Sequence, residues 1–147
     1  MQIICSHENL DFDGLAAMVG AHKLYPKARM VLPHQLSPPV KAYLALYRDV
    51  FNFYRAGHFR DQIHQVETVI LVDIHQLHRV ELARRCVEKG ARLFIYDHHR
   101  RREGELPPWE GKIEPVGATC TLIVEELQKQ GIRLSPIEAT LLALGIY

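Results

Sequence analysis

The stretch Val66-Glu67-Thr68-Val69-Ile70-Leu71-Val72-Asp73 decides the fold. It is β-branched and apolar until it stops abruptly at Asp73, the pattern of an interior strand covered on both faces. Such strands belong to parallel sheets joined by crossover helices, so the flanking elements should alternate strand with helix. They do. Downstream, Val80, Leu82, Ala83, Cys86 and Val87 form a helical stripe closed by Gly90, and Arg92 to Tyr96 is the next strand, delivering Asp97. Upstream, Met1 to Cys5 is a short strand that ends near His7, and the period of Leu15, Met18, Val19, His22 and Lys23 predicts a helix from Asp13 to Leu24. Asp13 stands where a helix N-cap prefers a short acidic side chain, and Pro26 stops that helix.

Farther out, Arg29 to Leu32 reads as a strand. Ser37 and Pro38 supply an N-cap and an N1 proline for a helix through Val40, Tyr43, Leu44 and Tyr47. Phe51 to Tyr54 is a short strand. A proline-rich connection through Pro107-Pro108-Trp109 leads to a weak strand at Lys112 to Glu114, and Thr119 to Gln130 is a helix ended by Gly131. Ser135-Pro136-Ile137-Glu138 is a capping box opening a last helix. Ala139, Leu141, Leu142, Ala143, Leu144 and Ile146 make that helix apolar all round, which calls for burial on nearly every side. With Tyr147 as the final residue, the expectation is one domain, residues 1–147, that is a fragment of a longer protein. The fold class expected is α/β, a mostly parallel sheet with helices on both faces.

Composition narrows the function. At 147 residues, 48% hydrophobic and 24% charged, the chain suits one globular domain, with no run near the roughly 20 apolar residues of a membrane span. The amino terminus lacks the basic and long apolar regions of a secretory signal, so the cytoplasm is the expected address. Cys5, Cys86 and Cys120 are far apart and in no Cys-x-x-Cys pair, which argues for buried thiols over disulfides or a cysteine zinc site. A net charge of +1 offers no general attraction for nucleic acid. The absence of a glycine-rich dinucleotide or Walker-type loop counts against nucleotide-cofactor and P-loop readings.

In an open parallel sheet, ligands bind beyond the carboxyl ends of the strands. Those ends carry His7, Asp11 and Asp13, then Asp73, then Asp97-His98-His99. Every strong ligand type therefore converges on one edge. Strand termination and helix capping would need only one or two of these acids. The spacing His-x-x-x-Asp-x-Asp lets one loop turn His7 and Asp11 onto one ion while Asp13 faces a neighbour. Four crowded aspartates repel one another unless divalent cations neutralise them, and two such ions balance four carboxylates. A carboxylate-rich set with imidazoles and no thiolate favours Mn²⁺, with Mg²⁺ or Co²⁺ next. Paired ions about 3.5 to 4 Å apart clamp an in-line displacement at phosphorus and acidify a bridging water. Hydrolysis of a phosphodiester or phosphoanhydride is the chemistry expected.

The segments His7-Glu8-Asn9-Leu10-Asp11-Phe12-Asp13-Gly14, Val72-Asp73 and Asp97-His98-His99 resemble, in order, the first three motifs of the DHH phosphoesterase superfamily. Its members include RecJ-like exonucleases, nanoRNA and cyclic-dinucleotide hydrolases and family II inorganic pyrophosphatases. Gly117-Ala118-Thr119-Cys120-Thr121 is similar to the family's turn into a later helix, so the resemblance spans nearly the whole chain. It implies that His7 and Asp11 hold one Mn²⁺, Asp13 and His98 the other, and that Asp73 bridges both. It further implies that His99 faces the substrate phosphate and that Asp97 supports the site from behind.

A narrower resemblance, through Lys23-Leu24-Tyr25-Pro26, Val31-Leu32-Pro33 and the segment Leu134 to Leu142, is to the amino-terminal module of bacterial proteins. In these, a DHH unit precedes CBS repeats and a poly(A) polymerase or tRNA nucleotidyltransferase domain. The family's fourth-motif aspartate would follow Leu144-Gly145-Ile146-Tyr147 and is not in this sequence, nor is its smaller second domain. The resemblance therefore implies a chain weak or inactive on its own, with a nucleotide or short oligonucleotide as substrate. The competing expectation is a nucleotide-sensing or nucleic-acid-sensing module of a larger polymerase.

Other residues receive plainer readings. Arg100, Arg101 and Arg102 either clamp phosphates, Arg100 and Arg101 above all, or form a solvated run beside Glu103 and Glu105. His75 and His78 read as surface residues at a helix start. His22, His34, His58 and His64 carry no assigned role, and Tyr43, Tyr47, Phe51, Phe53 and Tyr54 read as core aromatics. A homodimer is compatible with the apolar last helix.

Overall fold

The computed structural model describes residues 1–102 and 104–147, so Glu103 lies outside the described residues. Six strands form one sheet: β1 (Gln2–Cys5), β2 (Ala28–Leu32), β3 (Phe53–Arg55), β4 (Thr68–Val72), β5 (Arg92–Asp97) and β6 (Trp109–Ile113), in the spatial order β3-β2-β1-β4-β5-β6. All five pairings are parallel. Five α-helices connect or follow them: α1 (Phe12–Leu24), α2 (Pro38–Tyr47), α3 (Glu81–Glu88), α4 (Thr119–Lys129) and α5 (Pro136–Ile146).

The central strand explains the layering. Every residue of β4 is buried, and alternate side chains enter opposite cores: Ile70 and Val72 pack with α1, α2, α4 and α5, while Val69 and Leu71 pack with α3 and the short helical turns after β3. Each such aliphatic residue contributes about 1.5–3 kcal/mol by leaving water, so a strand with none exposed is held firmly at the middle of the sheet. The chain builds outward from β1 to β3, returns to β4 beside β1, and builds outward the other way. Loops leaving β1 and β4 therefore diverge and open a crevice at the carboxyl edge.

Several sequence expectations shift here. The residue capping α1 is Asp11, whose Oδ1 accepts from the Gly14 amide at 2.9 Å, so Asp13 lies inside the first turn. Both aspartates suit a cap, and the helix starts one position earlier than the apolar period shows. The last strand runs Trp109–Ile113 rather than Lys112 to Glu114, its register set by Leu93 opposite Trp109 and Asp97 opposite Ile113. As a half-exposed edge it lacks the alternation that would mark it. The short third strand covers Phe53–Arg55.

The capping box opening α5 is present, with the Glu138 amide donating to Ser135 Oγ and Ser135's amide donating to Glu138 Oε1. Burial of α5 is one-sided, however. Leu141, Leu142 and Gly145 face α1 and α4, whereas Ile137, Leu144, Ile146 and Tyr147 are exposed. Gly145 permits that close approach, since a Cβ there would lie 2.6 Å from the Ala16 Cβ. All three cysteines are free and buried. No helix among the described residues is long and apolar enough to cross a membrane.

Candidate metal centre

Asp73 is the hub. It is the first residue past β4, 2% exposed, and its φ of +61° places a non-glycine residue in the left-handed region, a strained conformation of the kind that collects at functional sites. Its backbone amide donates to Tyr96 O at 2.9 Å, tying the turn to the neighbouring strand. The two carboxylate oxygens then serve different partners. Oδ2 lies 2.8 Å from His7 Nε2, which is in turn 3.8 Å from Asp11 Oδ1. Oδ1 lies 3.3 Å from His98 Nε2, which is 3.4 Å from Asp13 Oδ2. Asp73 thus stands between two groups, each of one histidine and one further aspartate.

Both histidines are turned the same way. His7 Nδ1 donates to Glu8 O at 2.8 Å and His98 Nδ1 to Val116 O at 3.0 Å, so in each ring it is Nε2 that faces the carboxylates. A backbone carbonyl on the far nitrogen is the usual support of a metal-binding imidazole. Ligand atoms of His7, Asp11 and Asp73, and separately those of Asp73, Asp97, His98 and His99, lie within 4.8 Å of one another and could hold a metal. The donor set is carboxylate and imidazole without thiolate, which fits a hard or borderline divalent cation.

Electrostatics agree. Burial and then the Asp73 charge push Asp13 up to about 7, against the pull of the Cys120 and Thr119 amides. Burial lowers His7, but the hydrogen bond and charge of Asp73, with Glu8 O and Asp11, overcome it and raise the ring to about 9. Burial also works to raise Asp73, and the His7 contact with the Thr119 hydroxyl outweighs it and holds the carboxyl below its ordinary value. The raised proton affinity of His7 and Asp13 marks a place where excess negative charge calls for compensation, which divalent cations would also supply.

Asp13 does cap a helix, though not its own. Its Oδ2 and Oδ1 accept from the amides of Thr119 and Cys120 at 3.0 and 2.9 Å, the first residues of α4. Thr119, fully buried, adds its hydroxyl, which donates to Asp73 Oδ1 at 2.9 Å and accepts from the His98 amide at 3.2 Å. Thr119 is a member of the site that ligand chemistry could not reveal; its place in the Gly117 to Thr121 turn was the available signal.

Asp97 is the last residue of β5 and 0% exposed. Its Oδ1 accepts from the His99 Nδ1 at 2.6 Å and from the His99 amide at 3.2 Å, which fixes the ring and leaves Nε2 uncommitted among the described residues. Its Oδ2 is 2.6 Å from Nδ1 of His75. His75 is therefore no surface residue: it is 4% exposed, and its Nε2 accepts the Arg102 amide at 3.1 Å, which assigns the proton to Nδ1. Parallel pairing of Val72 with Tyr96 brings the segments after β4 and β5 side by side, and that adjacency is what makes the contact.

A cleft of about 250 Å³ opens over the cluster, with Arg79 and Arg102 in its walls. Arg101 lines a separate neighbouring cavity, and Arg100 is exposed. His78 is exposed, as the sequence suggests.

Comparison with known proteins accords with this geometry. The chain is 38% identical over 146 residues to the A-adding tRNA nucleotidyltransferase of Aquifex aeolicus (strain VF5), covering 99% of this chain and 16% of that protein. It is 26% identical over 157 residues to the cyclic-di-AMP phosphodiesterase GdpP of Bacillus subtilis (strain 168), covering 98% of this chain and 24% of that protein. It thus spans about a sixth to a quarter of the length of these curated relatives. The crystal structure of an exopolyphosphatase-related protein from Bacteroides fragilis superposes with a TM-score of 0.73 at 16% identity, over 99% of this chain and 44% of that one, a likeness of fold. The family description "DHH family, N-terminal domain" matches residues 2–146. With its motif segments gathered around Asp73 and a match that runs nearly end to end, the chain belongs to the DHH family as one of its N-terminal domains.

Proposed function

We propose that this chain is a metal-dependent phosphoesterase domain, hydrolysing a phosphodiester or phosphoanhydride in a nucleotide or short oligonucleotide. The observation that carries the reading is the division of Asp73, one oxygen toward His7 and Asp11 and the other toward His98 and Asp13. In this reading His7 and Asp11 hold one ion, Asp13 and His98 a second, and Asp73 bridges; the donor set supports Mn²⁺, with Mg²⁺ or Co²⁺ as substitutes. Bound there, a pair of divalent ions supplies an acidified water and an electrophilic clamp on phosphorus.

The chain's own residues do the rest. His99, held at Nδ1 by Asp97, offers Nε2 to a phosphate oxygen in the cleft. Arg79 and Arg102 draw the anionic substrate in, and Arg100 and Arg101 extend the positive rim on which it arrives. The test is Mn²⁺ titration of this chain and hydrolysis of a dinucleotide by a longer chain that carries the family's further ligand, each compared with its Asp73→Ala variant. Tight binding and turnover, both lost in the variant, are expected; undiminished turnover in the variant would refute the bridging role.

A second reading, a nucleotide-sensing or nucleic-acid-sensing module within a larger nucleotidyltransferase, draws support from the likeness to the Aquifex aeolicus protein. Nucleotide binding without hydrolysis, in a longer chain that carries the family's further ligand, would favour it.

A further inference from the structure

The cleft over the carboxylates is small. At about 250 Å³ it falls below the roughly 300–1,000 Å³ usual for sites that take a ligand of nucleotide size. A larger cavity of about 430 Å³ adjoins it, and Arg79 belongs to the wall of both. This second cavity sits over the carboxyl ends of β1 and β2, between the short helical turns after β3 and the start of α3. Ser6 and Glu8 in its wall flank His7, so it is contiguous with the cluster in sequence as well as in space.

Its chemistry is that of an anion with an apolar body. Arg60, Arg79 and Arg85 line it, together with Val31, Leu32 and Leu82. The arginine ion pairs among the described residues, Arg84–Glu88 and Arg92–Glu110, lie elsewhere, and Arg79 spends one guanidinium nitrogen on the neutral Gln76 Oε1 at 3.1 Å. Of the two acids in the wall, Glu8 has both oxygens taken by the amides of His34 and Gln35, at 3.3 and 2.9 Å, which leaves Glu81 to face three guanidiniums. Arg60, Arg79 and Arg85 are exposed and make no carboxylate ion pair among the described residues, so their guanidinium donors are open to an anion that enters the cavity.

We propose that this cavity is the subsite for the nucleotide unit beside the scissile phosphate. Its phosphate rests on Arg60 and Arg85, and its sugar and base lie along Val31, Leu32 and Leu82. Arg79 spans the step between the two phosphates. The inference rests on the phosphoesterase reading and narrows its substrate to a chain of at least two nucleotide units, in preference to inorganic pyrophosphate or polyphosphate.

The experiment measures equilibrium binding of a fluorescent dinucleotide with a hydrolysis-resistant phosphorothioate bridge, and of inorganic phosphate as competitor, to the Mn²⁺-supplied chain. Arg60→Ala/Arg85→Ala should weaken the dinucleotide about tenfold or more, the loss of one or two charge-assisted bonds, and leave inorganic phosphate within about twofold. Arg48→Ala/Arg133→Ala removes the same charge at exposed positions away from the cavity and should change neither. The subsite is overturned if the dinucleotide affinity is unchanged in the first variant, if the control pair weakens it equally, or if the parent chain does not bind the dinucleotide. Mn²⁺ binding and its loss in Asp73→Ala are read separately, so failure of the subsite and failure of the metal-centre reading give different results.

Discussion

Replacing His75 with alanine removes the partner of Asp97 Oδ2, 2.6 Å away in a site where the carboxylate is 0% and the imidazole 4% exposed. The other oxygen keeps its bonds to the His99 ring and amide, so half of a buried carboxylate is left without a donor. His75 is neutral, since its Nε2 accepts the Arg102 amide, so the loss is that of a hydrogen bond to a buried carboxylate; stranding such an oxygen costs about 1–3 kcal/mol and more when the group is charged, which places the expectation near about 3 kcal/mol. For a chain of this length each kcal/mol lowers the midpoint by about 2–4 °C, so the metal-free His75→Ala protein should melt about 6–12 °C below the parent.

The two ring nitrogens can be tested apart. Asparagine carries its amide nitrogen where Nδ1 stands and should recover most of the loss. Glutamine offers an oxygen to the Arg102 amide but sets its donor one atom too far for Asp97, so it should resemble alanine. Circular-dichroism melts in EDTA at neutral pH decide it. If the three variants melt within about 2 °C of one another, or glutamine rescues where asparagine does not, the buried pair is not what holds this corner.

Three other outcomes follow from the geometry. In the metal-free chain, Asp13 raised from 3.8 to about 7 gives stability that is full below pH 3.8 and lost as pH rises through 7, and His7, raised from 6.5 to about 9, continues the loss through pH 9. Urea midpoints should therefore fall steadily between pH 4 and pH 9, and Asp13→Asn should flatten the lower part of that slope; a rise over the interval would contradict the assignment. Thr119→Val, equal in shape, should cost about 1–3 kcal/mol in denaturant melts by stranding Asp73 Oδ1 and the His98 amide, with Thr119→Ser restoring most of it. Gly111→Ala places a Cβ 2.1 Å from Ile95 O at a φ of +110°, where only backbone could yield, so loss of at least about 2 kcal/mol and rapid hydrogen exchange across β6 are expected.

The sequence was informative where burial is two-sided. The run ending at Val72 has no solvent face, so its composition alone marks a central strand, and the ligand-type residues at its end and at the ends of β1 and β5 mark one edge of the sheet. Legibility fails where a role depends on a partner distant in the chain. Asp11 and Asp13 are equivalent to a capping rule, and their difference arises from Thr119 and Cys120, more than a hundred residues away. His75 looks like any histidine near a helix start until β4 and β5 lie side by side and bring Asp97 to it. The apolar surround of α5 was legible as composition, but which face meets α1 was not.

The Asp13 carboxylate has one further property. Both of its oxygens already hold the leading amides of α4, and the same oxygens would face a cation entering beside His98. A cation arriving at the carboxylate competes for the lone pairs that those two amides use and so weakens both hydrogen bonds. The amide protons of Thr119 and Cys120 are therefore built-in gauges of occupancy: their chemical shifts and exchange rates will register which ion has entered, and when, without any label on the ligands themselves.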